Sequence, residues 1–244
     1  MKTLIIIPSR LGATRLPGKP LLKINGLSII SHVFKKAEKA KIGEVLVATE
    51  NQEIVDDVKK NGGQAVLTSN KHYTGTDRIY EALQKIDISN IDLVMNLQGD
   101  EPLIDVDDIR KLNQLMMNKN FKIGTLASKI SDKKLHDNQS VVKVKTKEKL
   151  DNKNFPEAIN FKRKTLKKDL NTYHHVGIYC YELGTLKDFV SYKQSPNETK
   201  YKLEQLRALE NKIKINVALA KSHSIGIDTK EDFVAIKKIM EYKS

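Results

Sequence analysis

The run TLIIIPSRLGATRLPGKPL, Thr3 to Leu21, decides how this chain folds. Thr3 to Ile7 is continuously apolar, the pattern of a strand covered on both faces, as in a parallel sheet. The run breaks at Pro8 into a loop holding Arg10, Arg15 and Lys19 with Gly12 and Gly18. In a doubly wound sheet, the loop at the carboxyl end of such a strand faces the ligand crevice. Glycines let backbone N–H groups approach anionic oxygens and the cations neutralise their charge, so this loop is expected to wrap a triphosphate. A solvated basic loop is the plainer alternative. The spacing is not that of a Walker A loop: five residues separate Gly12 from Gly18, and Pro20 follows Lys19 where a hydroxyl residue is required.

Outward from this stretch, strands and helices alternate. Ile29, Ile30, Val33, Ala37 and Ala40 recur at helical spacing, and Glu44 to Thr49 reads as a strand. Ile54, Val55 and Val58 mark a helix ending at Gly62-Gly63, where glycine takes a left-handed cap. A strand at Ala65 to Thr68, a helix through Ile79 to Ile86, a strand at Leu93 to Leu97, a helix through Ile109 to Met116 and a strand at Ile123 to Ala127 follow. This order predicts an α/β fold with a single doubly wound, mostly parallel sheet. From about 128 to 200 the pattern loosens into short strands, Val141 to Lys145 and Val176 to Tyr181, between lysine-rich segments. We read this as an insertion in one domain spanning 1–244, serving as a lid or dimerisation flap. A helix near Glu198 to Asn211, a strand Lys214 to Ala220 and a last helix from Thr229 close the chain. Thr229 and Asp232 have the spacing of a capping box.

Composition bounds the function. The 244 residues carry 43 Lys+Arg against 30 Asp+Glu, a net charge of +13, which favours acidic partners. The lysines are spread in pairs such as Lys35-Lys36, Lys59-Lys60 and Lys133-Lys134, with no basic arm or aromatic-studded stripe. That argues for solvated surfaces and against a nucleic-acid partner. No apolar stretch approaches the length of a membrane span, and the first apolar run is too short for a secretory leader. The single cysteine, Cys180, fits a reducing cytoplasm.

Three further segments carry candidate chemistry. NLQGDEP, Asn96 to Pro102, puts Asp100 after a buried strand and a glycine, at the same sheet edge as the first loop. There it can hold Mg²⁺ bridging phosphate oxygens, or simply cap a turn. SIGIDTKEDF, Ser224 to Phe233, offers Asp228 as a second carboxylate, with helix capping as the alternative. In SNKHYTGTDRI, Ser69 to Ile79, the Thr74 and Thr76 hydroxyls and Arg78 can read a pyrimidine edge, although the same residues also make an ordinary helix start.

RLPGKPL, TGTDR, NLQGDEP, HHVGIYCY, KLEQLRAL and GIDT, in this order, resemble the 3-deoxy-manno-octulosonate cytidylyltransferases, over nearly the whole chain. The resemblance implies the Rossmann-like fold of nucleotide-diphospho-sugar transferases. It implies transfer of CMP from CTP to the anomeric hydroxyl of an acidic eight-carbon sugar, for lipopolysaccharide biosynthesis, in a cytoplasmic homodimer. It places the phosphate loop on Arg10, Arg15 and Lys19, base recognition on Thr76, Arg78 and Gln98, and Mg²⁺ ligands on Asp100 and Asp228. It places the sugar pocket on Arg163, His175, Tyr179, Glu204 and Gln205. Without it, Glu204 would pass for a solvated helix acid and His175 for a strand-face histidine.

The chain departs from that pattern at Ser9 for alanine, His174 for arginine and Cys180 for glycine. Asn160 to His174 is also shorter and lacks the usual Ile-Pro. The last departure keeps open an acceptor such as an 8-amino octulosonate or a nonulosonic acid. A sugar-1-phosphate nucleotidyltransferase would share the sheet and differ in acceptor. A basic nucleic-acid module would explain the charge but not the paired carboxylates.

Overall fold

A computed structural model describes residues 1–12, 15–130, 138–164, 170–221 and 226–242. Lys133-Lys134, Ser224-Ile225 and residues 165–169 of the shortened segment lie outside them. The chain forms two compact units, Met1–Arg110 with Ser224–Ser244, and Lys111–His223.

The first unit is built on β1 (Thr3–Ser9). Ile5, Ile6 and Ile7 are wholly buried because neighbouring strands and helices on both faces exclude water from this strand. A hairpin of β2 (Lys23–Ile24) and β3 (Leu27–Ser28) follows. Asn25 and Gly26 turn it with φ of 49° and 78°, the positive values an Asn-Gly hairpin turn needs. Then come α1 (Ile29–Ala40), β4 (Gly43–Thr49), α2 (Gln52–Lys60), β5 (Ala65–Leu67), α3 (Gly75–Gln84), β6 (Leu93–Asn96) and α4 (Val106–Met116). The strand order is β6-β1-β4-β5, all parallel, with Ile5 level with both Val45 and Met95. Every strand therefore ends at one edge, and the loops after β1 and β6 leave from it together. The predicted alternation is found here. α2 ends as expected at left-handed Gly62, φ 83°.

The second unit is a mixed sheet. β7 (Ile123–Ser128) lies between parallel β11 (Ile215–Leu219) and antiparallel β10 (Thr172–Glu182). β8 (Lys143–Thr146) and β9 (Ala158–Lys162) extend it antiparallel beyond β10. This unit contains the stretch 128–200 read as an insertion. β10 carries an irregularity between Val176 and Tyr179, where the pairing to β7 advances by one residue only. The Thr125 hydroxyl closes that bulge by donating to the Ile178 carbonyl at 2.7 Å.

The helix expected over 198–211 is instead two, α6 (Pro196–Tyr201) and α7 (Gln205–Glu210), after α5 (Leu183–Ser191). A Ser195/Glu198 capping box starts α6, and Lys202 stops it in the left-handed region, φ 53°. Helical spacing of the leucines survives the corner, which is why the sequence reads as continuous.

The last helix, α8 (Lys230–Tyr242), belongs to the first unit and starts on the predicted box. Asp232 N–H donates to Thr229 Oγ1 at 3.1 Å, and Thr229 N–H to Asp232 Oδ2 at 2.9 Å. Ile236, with Phe233 and Met240, packs on Ile24, Ile29 and Ile227. That small apolar cluster fixes the backbone on which Asp228 sits. Among the described residues no helix is long and apolar enough to cross a membrane.

Candidate active site

Three segments of the first unit converge at the sheet edge. After β1 the chain turns at Gly18, whose φ of 69° suits glycine, into a single 3-10 turn, Lys19–Leu21. This aims Lys19 inward, leaving its side chain 12% exposed. Its ammonium donates to Asp100 Oδ2 and to the Ile227 carbonyl, each at 2.6 Å, and lies 3.6 Å from Asp228 Oδ1. Arg15 Nη2 is 3.0 Å from Asp228 Oδ2. Asp100 reaches this point because Gly99 lets the turn after β6 approach β1. A Cβ there would sit 3.1 Å from both the Pro8 carbonyl and Ile30.

These residues line a cavity of about 420 Å³, the size of small-molecule sites. Arg10, Gly12, Arg15 and Lys19 line it with Gln98, Asp100 and Asp228. His72, Tyr73, Thr74, Gly75 and Arg78 line it as well. Three cations face two carboxylates, an arrangement suited to a polyanion accompanied by a divalent cation. Two carboxylates and one carbonyl already share the Lys19 ammonium, so this oxygen-only set can converge on a single hard cation. Among the described residues there is no cluster of three or more His, Cys, Asp or Glu that would form an all-protein cage. Magnesium does not need one, being commonly held by one or two carboxylates, water and substrate phosphates.

The base-reading residues are placed differently from one another. Gln98 lines the cavity and donates to Asn96 Oδ1 at 3.3 Å. Arg78 is 3% exposed, ion-paired to Glu50, and donates to Thr68 Oγ1 at 2.7 Å. Its guanidinium is thus tied into the protein even though the side chain borders the cavity. Thr76 departs from the expectation. It is wholly buried in the first turn of α3, does not line the cavity, and its hydroxyl has no hydrogen-bond partner. The hydroxyl that caps α3 is Thr74's, accepting from Asp77 N–H at 3.2 Å.

In the second unit His175 and Tyr179 flank the β10 bulge, their rings 5.4 Å apart. With the Thr125 hydrogen spent on Ile178, the His175 Nε2–H donates to Thr125 Oγ1 at 2.9 Å. Burial, reinforced by His174, pushes the His175 pKa down to about 3, so the ring is neutral. Tyr179 is buried, and its hydroxyl has no hydrogen-bond partner among the described residues. Burial raises its pKa, and Tyr181 and the nearby Glu204 carboxylate add to the rise. Glu204 and Gln205 stand at the start of α7.

Arg163 is engaged with neighbouring backbone. Its Nε and Nη2 donate to the Tyr201 and Lys202 carbonyls at 3.2 and 3.3 Å, and Nη1 to the Ser140 carbonyl at 3.3 Å. It lines a different cavity, of about 750 Å³, with Ile159, Asn160 and Tyr201. Its hydrogen bonds therefore join these loops, and its positive charge is kept. Cys180 lies level with Gly124, fully buried, and burial pushes its thiol pKa up, leaving it unreactive.

Known proteins place this geometry. The Cytidylyltransferase family matches residues 4–215. The 3-deoxy-manno-octulosonate cytidylyltransferase of Rhodopseudomonas palustris (strain BisB18) is 42% identical over 243 residues, covering 99% of this chain and 98% of the relative. That of Thermodesulfovibrio yellowstonii is 43% identical over 257 residues, covering 98% of each. The chain belongs to the 3-deoxy-manno-octulosonate cytidylyltransferase family.

A solved structure of CMP:2-keto-3-deoxy-manno-octonic acid synthetase complexed with CTP matches all of this chain at a TM-score of 0.89 and 34% identity. UDP-glucose pyrophosphorylase complexed with UDP-glucose matches at a TM-score of 0.73 and 14% identity, a likeness of fold alone. The chain is a nucleotidyltransferase, with the mostly parallel α/β fold of that class. Sequence reasoning overlooked His72, Glu81, Glu50 and Thr125. His72 lay inside the quoted Ser69 to Ile79 segment, but its partner Glu81 is a helix acid that reads as solvated.

Stability should report the state of His175. The unfolded histidine gains a proton near its ordinary value of 6.5 while the folded one stays neutral down to about 3. Stability is therefore full above pH ~6.5 and falls as pH drops toward ~3, at up to about 1.4 kcal/mol per unit. Urea unfolding of His175→Gln at several pH values should give a flatter acid limb than the parent.

Proposed function

We propose that the chain transfers CMP from CTP to the anomeric hydroxyl of 3-deoxy-manno-octulosonate, releasing pyrophosphate, as a step of lipopolysaccharide biosynthesis in the cytoplasm. The observation that carries this reading is the convergence of Lys19, Asp100, Asp228 and Arg15 in one cavity at the strand ends.

Arg10, Arg15 and Lys19 bind the triphosphate and neutralise charge that shifts toward the leaving pyrophosphate. Asp100 and Asp228 hold Mg²⁺, which supplies charge neutralisation at the phosphate oxygens and acidifies a bound hydroxyl. Gln98 and Thr74, both lining the cavity, face the nucleoside. The acceptor oxygen forms its bond to the α-phosphorus as the bond to the β-phosphate bridge breaks, and the hydroxyl proton is released. No covalent enzyme intermediate is needed, so catalysis is positioning and electrostatics. We assign the acceptor to His175, Tyr179, Glu204 and Gln205. The unpartnered Tyr179 hydroxyl and the adjacent Glu204 carboxylate supply the donor and acceptor that a polyhydroxylated acid requires. Arg163 we assign to holding the loops around that group. Exposed Ile159 and Tyr201 on the second unit support a homodimer.

The test is pyrophosphate release from CTP and Mg²⁺ with 3-deoxy-manno-octulosonate, its 8-amino analogue and a nonulosonic acid in parallel. Turnover with the first is expected. Turnover confined to either of the others would keep the chemistry and replace the acceptor.

A further inference from the structure

The cavity lining from His72 to Gly75 is held by a network that none of these roles uses. Glu81, on α3, accepts from the Ser69 N–H with both oxygens, at 2.8 and 3.1 Å. It also receives Lys85 Nζ at 2.7 Å and the His72 Nε2. Burial alone would raise its pKa, but Lys85, His72 and Ser69 outweigh that and hold it at about 2, so it is an anion at any working pH. Lys85 additionally donates to the Leu67 carbonyl at 2.7 Å, and Arg78 to Thr68 Oγ1 at the same distance. Leu67, Thr68, Ser69 and His72 are thereby tied to α3 and to Lys85 at its C-terminal end.

His72 is the member of this network that reaches the cavity, while Glu81 stays outside its lining. The His72 side chain is 19% exposed, enough to present a ring edge and too little to rotate freely. The triphosphate cations all sit in the loop after β1, beside Asp100 and Asp228. The 72–75 lining brings no carboxylate and no lysine, and the charge of Arg78 is met by Glu50. A triphosphate anchored on Arg10, Arg15 and Lys19 leaves this uncharged part of the lining for the nucleoside half of the nucleotide.

We propose that His72 contacts the nucleoside half of CTP and that Glu81 is the positioning residue holding it there. The inference rests on the cytidylyltransferase reading and adds a nucleotide-selecting contact to it. With the Nε2–H given to the Glu81 carboxylate, His72 offers its Nδ1 edge or its ring face to ribose or base.

Calorimetric titration with CTP, and separately with inorganic triphosphate, tests this on the full chain. His72→Ala should weaken CTP binding about tenfold, a loss of roughly 1.4 kcal/mol, and leave inorganic triphosphate within about twofold. Glu81→Gln should weaken CTP in the same direction. The double variant should bind CTP no worse than His72→Ala, since Glu81 acts through His72. Should Glu81→Gln fail to fold, His72→Ala and His72→Gln carry the test. Equal losses for both ligands, or none for CTP, would overturn the inference. A parent protein that fails to bind CTP overturns the broader reading, and this one with it.

Discussion

Asp100→Ala is expected to lower the rate of CTP-dependent pyrophosphate release by on the order of 10³ while leaving the protein folded. Asp100 is the carboxylate drawn deepest into the cation cluster, its Oδ2 2.6 Å from the Lys19 ammonium. Removing it takes away the better of two oxygen anchors for Mg²⁺ and frees Lys19 to shift toward Asp228. The fold should tolerate the change because the Asp100 side chain is 30% exposed and Lys19 keeps the Ile227 carbonyl. Asp228 is 48% exposed and shared with Arg15, so Asp228→Ala should cost less, about tenfold to a hundredfold. Steady-state kinetics across a range of Mg²⁺ concentrations separates the two cases. A loss that high Mg²⁺ restores marks a metal ligand, whereas an unresponsive loss marks a phosphate-positioning residue.

Arg207→Leu is expected to destabilise the chain by about 3–5 kcal/mol, the cost of leaving a buried charge without its partner. Arg207 and Glu198 are 2% and 4% exposed and form a two-pronged pair, Nη2 to Oε1 at 2.5 Å and Nε to Oε2 at 2.8 Å. The guanidinium also stacks over Phe189 at 4.7 Å. Glu198 is at the same time the carboxylate of the capping box that starts α6. The pair joins α6 to α7 across the corner at Lys202, so its loss also loosens Glu204 and Gln205. Denaturant unfolding should show the drop, and the KM for the acceptor should rise more than that for CTP. Replacing both partners by apolar residues should recover much of the stability, because no orphaned charge remains.

How far the sequence could be read depended on what each residue was paired with. β1, β4 and β6 were legible since buried parallel strands need uninterrupted apolar runs, and few other structures do. Asp100 was legible from its position after such a strand, and Asp228 from its place just before the capped last helix. The second unit was less so. Lys143 is a strand residue that is almost wholly buried, donating to the Asn138 and Arg163 carbonyls, and lysine ordinarily signals a solvated face. β9 has exposed Ile159 two residues from buried Phe161, so it lacks the period-two pattern that would separate it from a loop. The β2–β3 hairpin was available in Asn25-Gly26 and went unused. Thr76, Arg78 and Arg163 show the limit of a residue-type argument. A guanidinium suits a ligand but equally suits protein acceptors that only the fold brings near, as at Arg78 and Arg163, while the Thr76 hydroxyl is simply buried. The Glu81–His72 contact lies nine residues apart in sequence and depends on how the loop folds back on α3.

The central claim is the identity of the bond formed. Phosphorus NMR of the full chain with CTP, Mg²⁺ and 3-deoxy-manno-octulosonate tests it most directly. The account predicts that the triphosphate signals give way to one phosphodiester resonance and pyrophosphate in equal amounts. CTP that persists unchanged, or yields CMP and pyrophosphate with no sugar phosphodiester, would contradict it.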